Sequence, residues 1–175
     1  MGQDHAPRHQ DHVLGSGPVG VRVDRSSAYI EAAPDAVWAL VSDLEGIGRF
    51  SPENTGGAWT SGKPGTVGAT FKGTNKHGLV RWSTHCTVTE VVGGQKFSFE
   101  VDESKARWSF LVEPSGTGTL LTETREIFAT APLYVRILSG SGVLGRDRDQ
   151  IIQAGIDTTL ARIKMHLEQS AHLGK

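Results

Sequence analysis

Glu123 and Arg125 stand two positions apart in Leu120-Leu121-Thr122-Glu123-Thr124-Arg125-Glu126-Ile127, a spacing that offers acid-base and carbonyl-binding chemistry on one face of a strand. Leu121 and Ile127 share that parity, so the face reads as buried, and an unpaired charge on it costs several kcal/mol. Each charge then needs a partner, water or a ligand group. The two can pair with each other, or the face is exposed if the register is shifted. Alternatively Arg125 binds a carbonyl, phenolate or carboxylate of an otherwise apolar ligand, with Glu123 as acceptor or base; in that reading they are the candidate catalytic pair.

Large rings accompany them. A four-residue connection at Asp102–Lys105 pairs Val101 with Ala106, Phe99 with Trp108 and Phe97 with Phe110. Carried across Gly93-Gly94, this face takes in Trp82, Thr84, Cys86 and Val88, and leaves Arg81, Ser83 and His85 outside. A one-residue slip would reverse that strand. Each ring alone is ordinary core packing. Together, with only one helix to cover them, they leave space that becomes a pocket. The expected lining is Ile47, Phe50, Glu53, Phe71, Trp82, Thr84, Cys86, Phe97, Phe99, Trp108, Phe110, Leu121, Ile152 and Ile156, with Glu53 at the mouth.

Other reactive residues point to little. Cys86 is the single cysteine and reads as a small apolar filler. His85 is expected to point outward, and His166 belongs to the charged side of the last helix. His5, His9 and His12 lie in a stretch with no rigid scaffold for a metal. No Ser-His-Asp motif, phosphate loop or metal-binding helix is present, so neither metal nor cofactor is expected.

The elements that must position these residues follow from periodicity. Residues 1–20 read as a flexible tail. A strand begins near Val21; Pro34 and Asp35 then open a short helix with Val37, Leu40, Val41 and Leu44 at helical spacing. Ile47 and Phe50 suggest a second brief helix before Pro52. Alternating runs separated by turn residues give six antiparallel strands at about Ala58–Thr60, Thr66–Asn75, Leu79–Val92, Lys96–Val101, Ala106–Glu113 and Thr119–Thr130. Pro132–Gly145 reads either as a short helix or as a lid. Ile152, Ile156, Thr159, Leu160, Ile163 and Leu167 form the stripe of a long helix over Arg146–Gln169, and residues 170–175 are a tail.

This order is that of an α+β helix-grip fold: a seven-stranded curved antiparallel sheet around a long C-terminal helix, with two short helices between strands 1 and 2. Three runs carry the likeness further: Ala32-Ala33-Pro34-Asp35-Ala36-Val37-Trp38; Asp43-Leu44-Glu45 through Phe50-Ser51-Pro52-Glu53; and Gly155-Ile156-Asp157-Thr158-Thr159-Leu160-Ala161-Arg162-Ile163-Lys164. In that order they resemble the polyketide cyclase/dehydrase branch of the START-like (SRPBCC, Bet v 1-like) superfamily, over about residues 21–168. The resemblance implies a deep, mostly apolar cavity between sheet and helix, but not one activity. The chain is similar to aromatase/cyclases at Trp82-Ser83-Thr84-His85-Cys86 and at Trp108. Where those enzymes place an arginine two positions after a hydroxyl residue, Cys86 stands here. Glu53 is near the position of their tyrosine.

Composition narrows the partners. With 18 Lys+Arg against 19 Asp+Glu in 175 residues, nothing concentrates the chain on polyanions, so nucleic acid is not expected. Neither a membrane span nor a signal core appears, which reads as a cytoplasmic protein. Three functions stay open: a monomeric or homodimeric binder of a hydrophobic small molecule (polyketide, lipid or aromatic); an enzyme catalysing aldol cyclisation or water loss in the same cavity; and an interaction module using Leu133–Leu138.

Overall fold

The computed structural model describes residues 22–128 and 148–173. The expected N-terminal tail and the Pro132–Gly145 segment fall outside them. Strand β1 (Arg22–Ile30) is followed by helix α1 (Pro34–Val41), a 3-10 turn (Ile47–Arg49), strands β2 (Asn54–Ser61), β3 (Thr70–His77), β4 (Val80–Val92), β5 (Lys96–Val101), β6 (Ala106–Ser115) and β7 (Gly118–Ile127), and helix α2 (Arg148–Leu173). The strands form one curved antiparallel sheet in the order β1-β7-β6-β5-β4-β3-β2. This is the helix-grip fold. Between β1 and β2 there is one α-helix and a single 3-10 turn in place of a second helix.

Local chemistry accounts for these elements. Pro34 opens α1 where its missing N–H is harmless, Asp35 sits in the first turn, and Val37, Leu40 and Val41 are buried. Ser42 closes the helix and donates its Oγ hydrogen to Trp38 O at 2.8 Å. The 3-10 turn presses on β2 so closely that a Cβ at Gly48 would run into Asn54 Oδ1 and Gly56 N.

Hairpins set the face. Gly78 takes φ of 58° in the two-residue β3–β4 turn. The four-residue connection after β5 gives the expected pairs Val101–Ala106, Phe99–Trp108 and Phe97–Phe110. A bulge between Val88 and Glu90 shifts the β4–β5 register, so that Val88 opposes Phe99 and Val91 opposes Phe97. The bulge lets one strand of mixed parity keep its apolar side chains on one face.

Boundaries differ from expectation. Residues Thr66–Gly68 turn instead of extending β3, β2 is longer at its start, and α2 continues through Leu173 past the expected Gln169. Helix α2 lies along β1 and reaches β7. Lys164 Nζ donates to Tyr29 O (2.8 Å), and Glu168 Oε1 accepts from Glu31 N (2.9 Å). Arg162 donates to Ser51 O at 3.3 Å, tying the helix to the segment after the 3-10 turn. The helix therefore covers one side of the sheet's concave face and leaves the β4–β6 side to α1 and the 3-10 turn.

Candidate functional site

The register arranges the concave face in cross-strand rows. One runs Val88, Phe99, Trp108, Arg125, Asp24; its neighbour runs Phe97, Phe110, Glu123, Ser26. Another runs Trp59, Phe71, Cys86, Val101, Ala106, and Asn54, Asn75 and Trp82 stand at the far end. Apolar side chains on this face form two buried clusters. The first joins Phe50, Phe110 and Leu121 to Ile152, Ile156, Leu160 and Ile163 of α2; the second contains Leu44, Phe71, Cys86, Val88 and Phe97.

Four residues pack against both clusters and remain only half-buried: Trp38, Ile47, Phe99 and Trp108. Large apolar groups between two sealed clusters normally bury completely. Here they stay partly exposed. Trp38 meets Phe97 edge-on at 6.4 Å and Trp59 meets Phe71 at 5.3 Å, ring pairs that join α1 to β5 and β2 to β3 around the second cluster.

Toward the β2–β4 end the face becomes polar. Asn75 Nδ2 donates to Thr84 Oγ1 at 3.2 Å, and Asn54 Nδ2 reaches Asn75 Oδ1 at 3.4 Å. Glu53 pairs with His77 Nδ1 at 3.0 Å, where the parity of β3 puts His77 on the same face. Cys86 is buried among the rings, and that burial pushes its thiol up to about 11, with the Thr84 hydroxyl acting in the opposite direction. Such a thiol stays protonated at neutral pH and makes a poor nucleophile.

Glu123 and Arg125 both project from β7 into this face, yet they do not pair with each other. Arg125 Nη1 donates to Asp24 Oδ2 at 2.8 Å, with both side chains under a tenth exposed, and the guanidinium lies 6.0 Å from the Trp108 ring. Asp24 Oδ1 also accepts from Arg22. Glu123 is 4% exposed and its Oε2 has no hydrogen-bond partner. Burial, reinforced by the negative Asp157 on α2, lifts its carboxyl to about 8. At neutral pH Glu123 therefore holds a proton, so the role of base expected from its type gives way to that of donor.

The structure places the other expected lining residues on this face or its borders: Ile47 and Phe50 at the 3-10 turn, Trp82 and Thr84 on β4, and Ile152 and Ile156 on α2. His85 points outward and binds Glu103 at 2.7 Å. His166 is exposed, its ring 5.3 Å from Phe50. Trp38, Trp59, Asp24, Asn54, Asn75 and His77 are not singled out by sequence reasoning. Stepping by two from Phe71 reaches Asn75 and His77 and is the signal that finds them; the β1–β7 pairing that brings Asp24 in has no local signal. Among the described residues no cluster of metal-ligating groups occurs, and no helix is long and apolar enough to cross a membrane.

Comparison with known proteins agrees with this architecture. A family model described as polyketide cyclase/dehydrase and lipid transport matches residues 21–168. The solution structure of the Polyketide_cyc-like protein Cgl2372 from Corynebacterium glutamicum is 28% identical, with a TM-score of 0.57 over 85% of this chain and 93% of that one. The di-domain ARO/CYC StfQ of the steffimycin biosynthetic pathway superposes with a TM-score of 0.67 at 14% identity, over 87% of this chain and 52% of its own. Ginseng major latex-like protein 151 from Panax ginseng gives 0.59 at 14% identity, over 84% and 97%. The last two likenesses concern the fold alone. No curated protein matches the chain.

Proposed function

The chain belongs to the polyketide cyclase/dehydrase and lipid transport family, and from that premise we propose that it binds one hydrophobic small molecule, a polyketide, lipid or aromatic, against the concave face. The observation that carries this reading is the set of half-buried side chains Trp38, Ile47, Phe99 and Trp108 between two sealed apolar clusters. Completing their burial with an aromatic ligand of about 150–250 Å² at about 25 cal/mol per Å² gives roughly 4–6 kcal/mol, a Kd between tens of micromolar and about 1 mM. Larger ligands reaching the Asn75–Thr84 end bind more tightly. Native mass spectrometry of protein purified from its own host, with thermal unfolding against polyketides, fatty esters and aromatics, tests the reading. A co-purifying apolar mass or a ligand-dependent rise in Tm supports it; an empty protein indifferent to the whole panel contradicts it.

A second reading, turnover by aldol cyclisation or water loss, is favoured by one observation: the buried Glu123 carboxyl has no hydrogen-bond partner at Oε2, and its burial favours the protonated form. Such a group protonates a carbonyl or a departing hydroxyl. Arg125, engaged by Asp24, serves there as fixed positive charge near Trp108. In this reading Glu123→Gln ends product formation while ligand still binds. Unchanged turnover in that variant contradicts it.

A further inference from the structure

Glu123 is a buried polar side chain, opposite Phe110 on β6 and Ser26 on β1. Its Oε2 faces no protein acceptor or donor. Thr159, the buried hydroxyl of α2, is committed to its own helix at Gly155 O (2.9 Å). Arg125, one step along the same strand face, is committed to Asp24. The charged groups that bear on Glu123 are Asp157 on α2 and, one row along the face, Arg125 paired with Asp24, which Arg22 also binds. Asp157 makes the surroundings of the carboxyl unfavourable for a further negative charge.

We propose that Glu123 is the specificity-determining contact of the hollow, donating its carboxyl hydrogen to an uncharged acceptor on an apolar ligand (a ketone, ester or ether oxygen) and disfavouring the carboxylate form of the same skeleton. This rests on the hollow binding apolar molecules, as argued above. A buried donor left without an acceptor is destabilising, whereas one supplied with a neutral oxygen is satisfied. A carboxylate in the same place would meet the acid and the negative Asp157, while the nearby Arg125 guanidinium is already held by Asp24. Burial keeps the proton on Glu123 at neutral pH, in line with that role.

The test is isothermal titration of the full chain with three probes of one shape: 2-ethylnaphthalene, 2-acetylnaphthalene and 2-naphthoate. Binding of the hydrocarbon tests the hollow itself; the ratio between probes tests Glu123. At pH 7 the ketone is expected to bind about tenfold tighter than the hydrocarbon, and the carboxylate weaker than either. Glu123→Leu is expected to bring the ketone-to-hydrocarbon ratio to about one. Glu123→Gln, which keeps a donor, is expected to hold the ratio at pH 7 and at pH 9.5, whereas the parent protein loses it at pH 9.5 as the carboxyl ionises. If the leucine variant does not fold, the glutamine variant and the two pH values decide. A ratio near one in the parent protein, or naphthoate bound as tightly as the ketone, overturns the inference while the hollow stands. No binding of any probe overturns both.

Discussion

Arg125 spends its buried charge on Asp24, 2.8 Å away across the β1–β7 pairing, and not on Glu123 two positions along its own strand. That choice leaves Glu123 a buried acid beside Phe110, with no hydrogen-bond partner at Oε2. Both halves of the relationship have measurable consequences.

Removing Asp24 takes its carboxylate partner from a buried guanidinium. Asp24→Ala is expected to lower stability by about 3–5 kcal/mol in urea unfolding, and replacing both partners by apolar residues to lower it by much less. A loss under about 1 kcal/mol in the single variant would show that the pair is not sealed from water.

Glu123 makes stability depend on pH. Its folded carboxyl holds the proton to about 8, while the unfolded group releases it near its ordinary value of 4.5. Between those values the folded state binds more protons. The contribution is therefore whole below the unfolded value, falls as pH rises through about 8 and is flat above, with a limiting slope of about 1.4 kcal/mol per pH unit. Urea unfolding from pH 4 to 9.5 checks it: the difference between the parent protein and Glu123→Gln should follow this slope, and parallel curves would contradict it.

Cys86 should resist alkylation. With its thiol pushed up to about 11 and the side chain buried, iodoacetamide at pH 8 is expected to label the folded protein far more slowly than the urea-unfolded chain. Equal rates in the two states would remove Cys86 from the interior.

Phe97 and Trp108 should separate stability from binding. Phe97 is fully buried, so Phe97→Ala is expected to cost about 3–5 kcal/mol of stability. Trp108 is half-buried, so Trp108→Ala should cost less stability than Phe97→Ala yet weaken 2-acetylnaphthalene about tenfold or more. Thermal unfolding and titration of both variants decide. A larger stability loss at Trp108 than at Phe97 would make it plain core.

Much of this was legible in the residues because it is local. The Asp102–Lys105 connection fixes the Phe97, Phe99, Trp108 and Phe110 face by hairpin arithmetic, and the Ile152-to-Ile163 stripe fixes the helix that meets it. What was not legible is non-local or depends on a single inserted residue. Asp24 reaches Arg125 across about a hundred residues of chain, and the bulge after Val88 changes parity without a turn signal. The protonation of Glu123 depends on burial and on Asp157 from another element. Strand ends shifted where turn residues such as Thr66 and Gly68 allow both extension and a bend.

All four tryptophans of the chain, Trp38, Trp59, Trp82 and Trp108, lie on or beside the concave face, so their indole N–H signals report on it directly. Titrating isotopically labelled protein with 2-acetylnaphthalene and following these four signals by NMR is the most direct measurement of where a ligand goes. The Trp38 and Trp108 signals should move saturably while the backbone amides of the outward-facing His85 and Arg107 stay still. Movement of the outward amides alone, or no movement of any signal up to the solubility limit of the probe, would contradict the account.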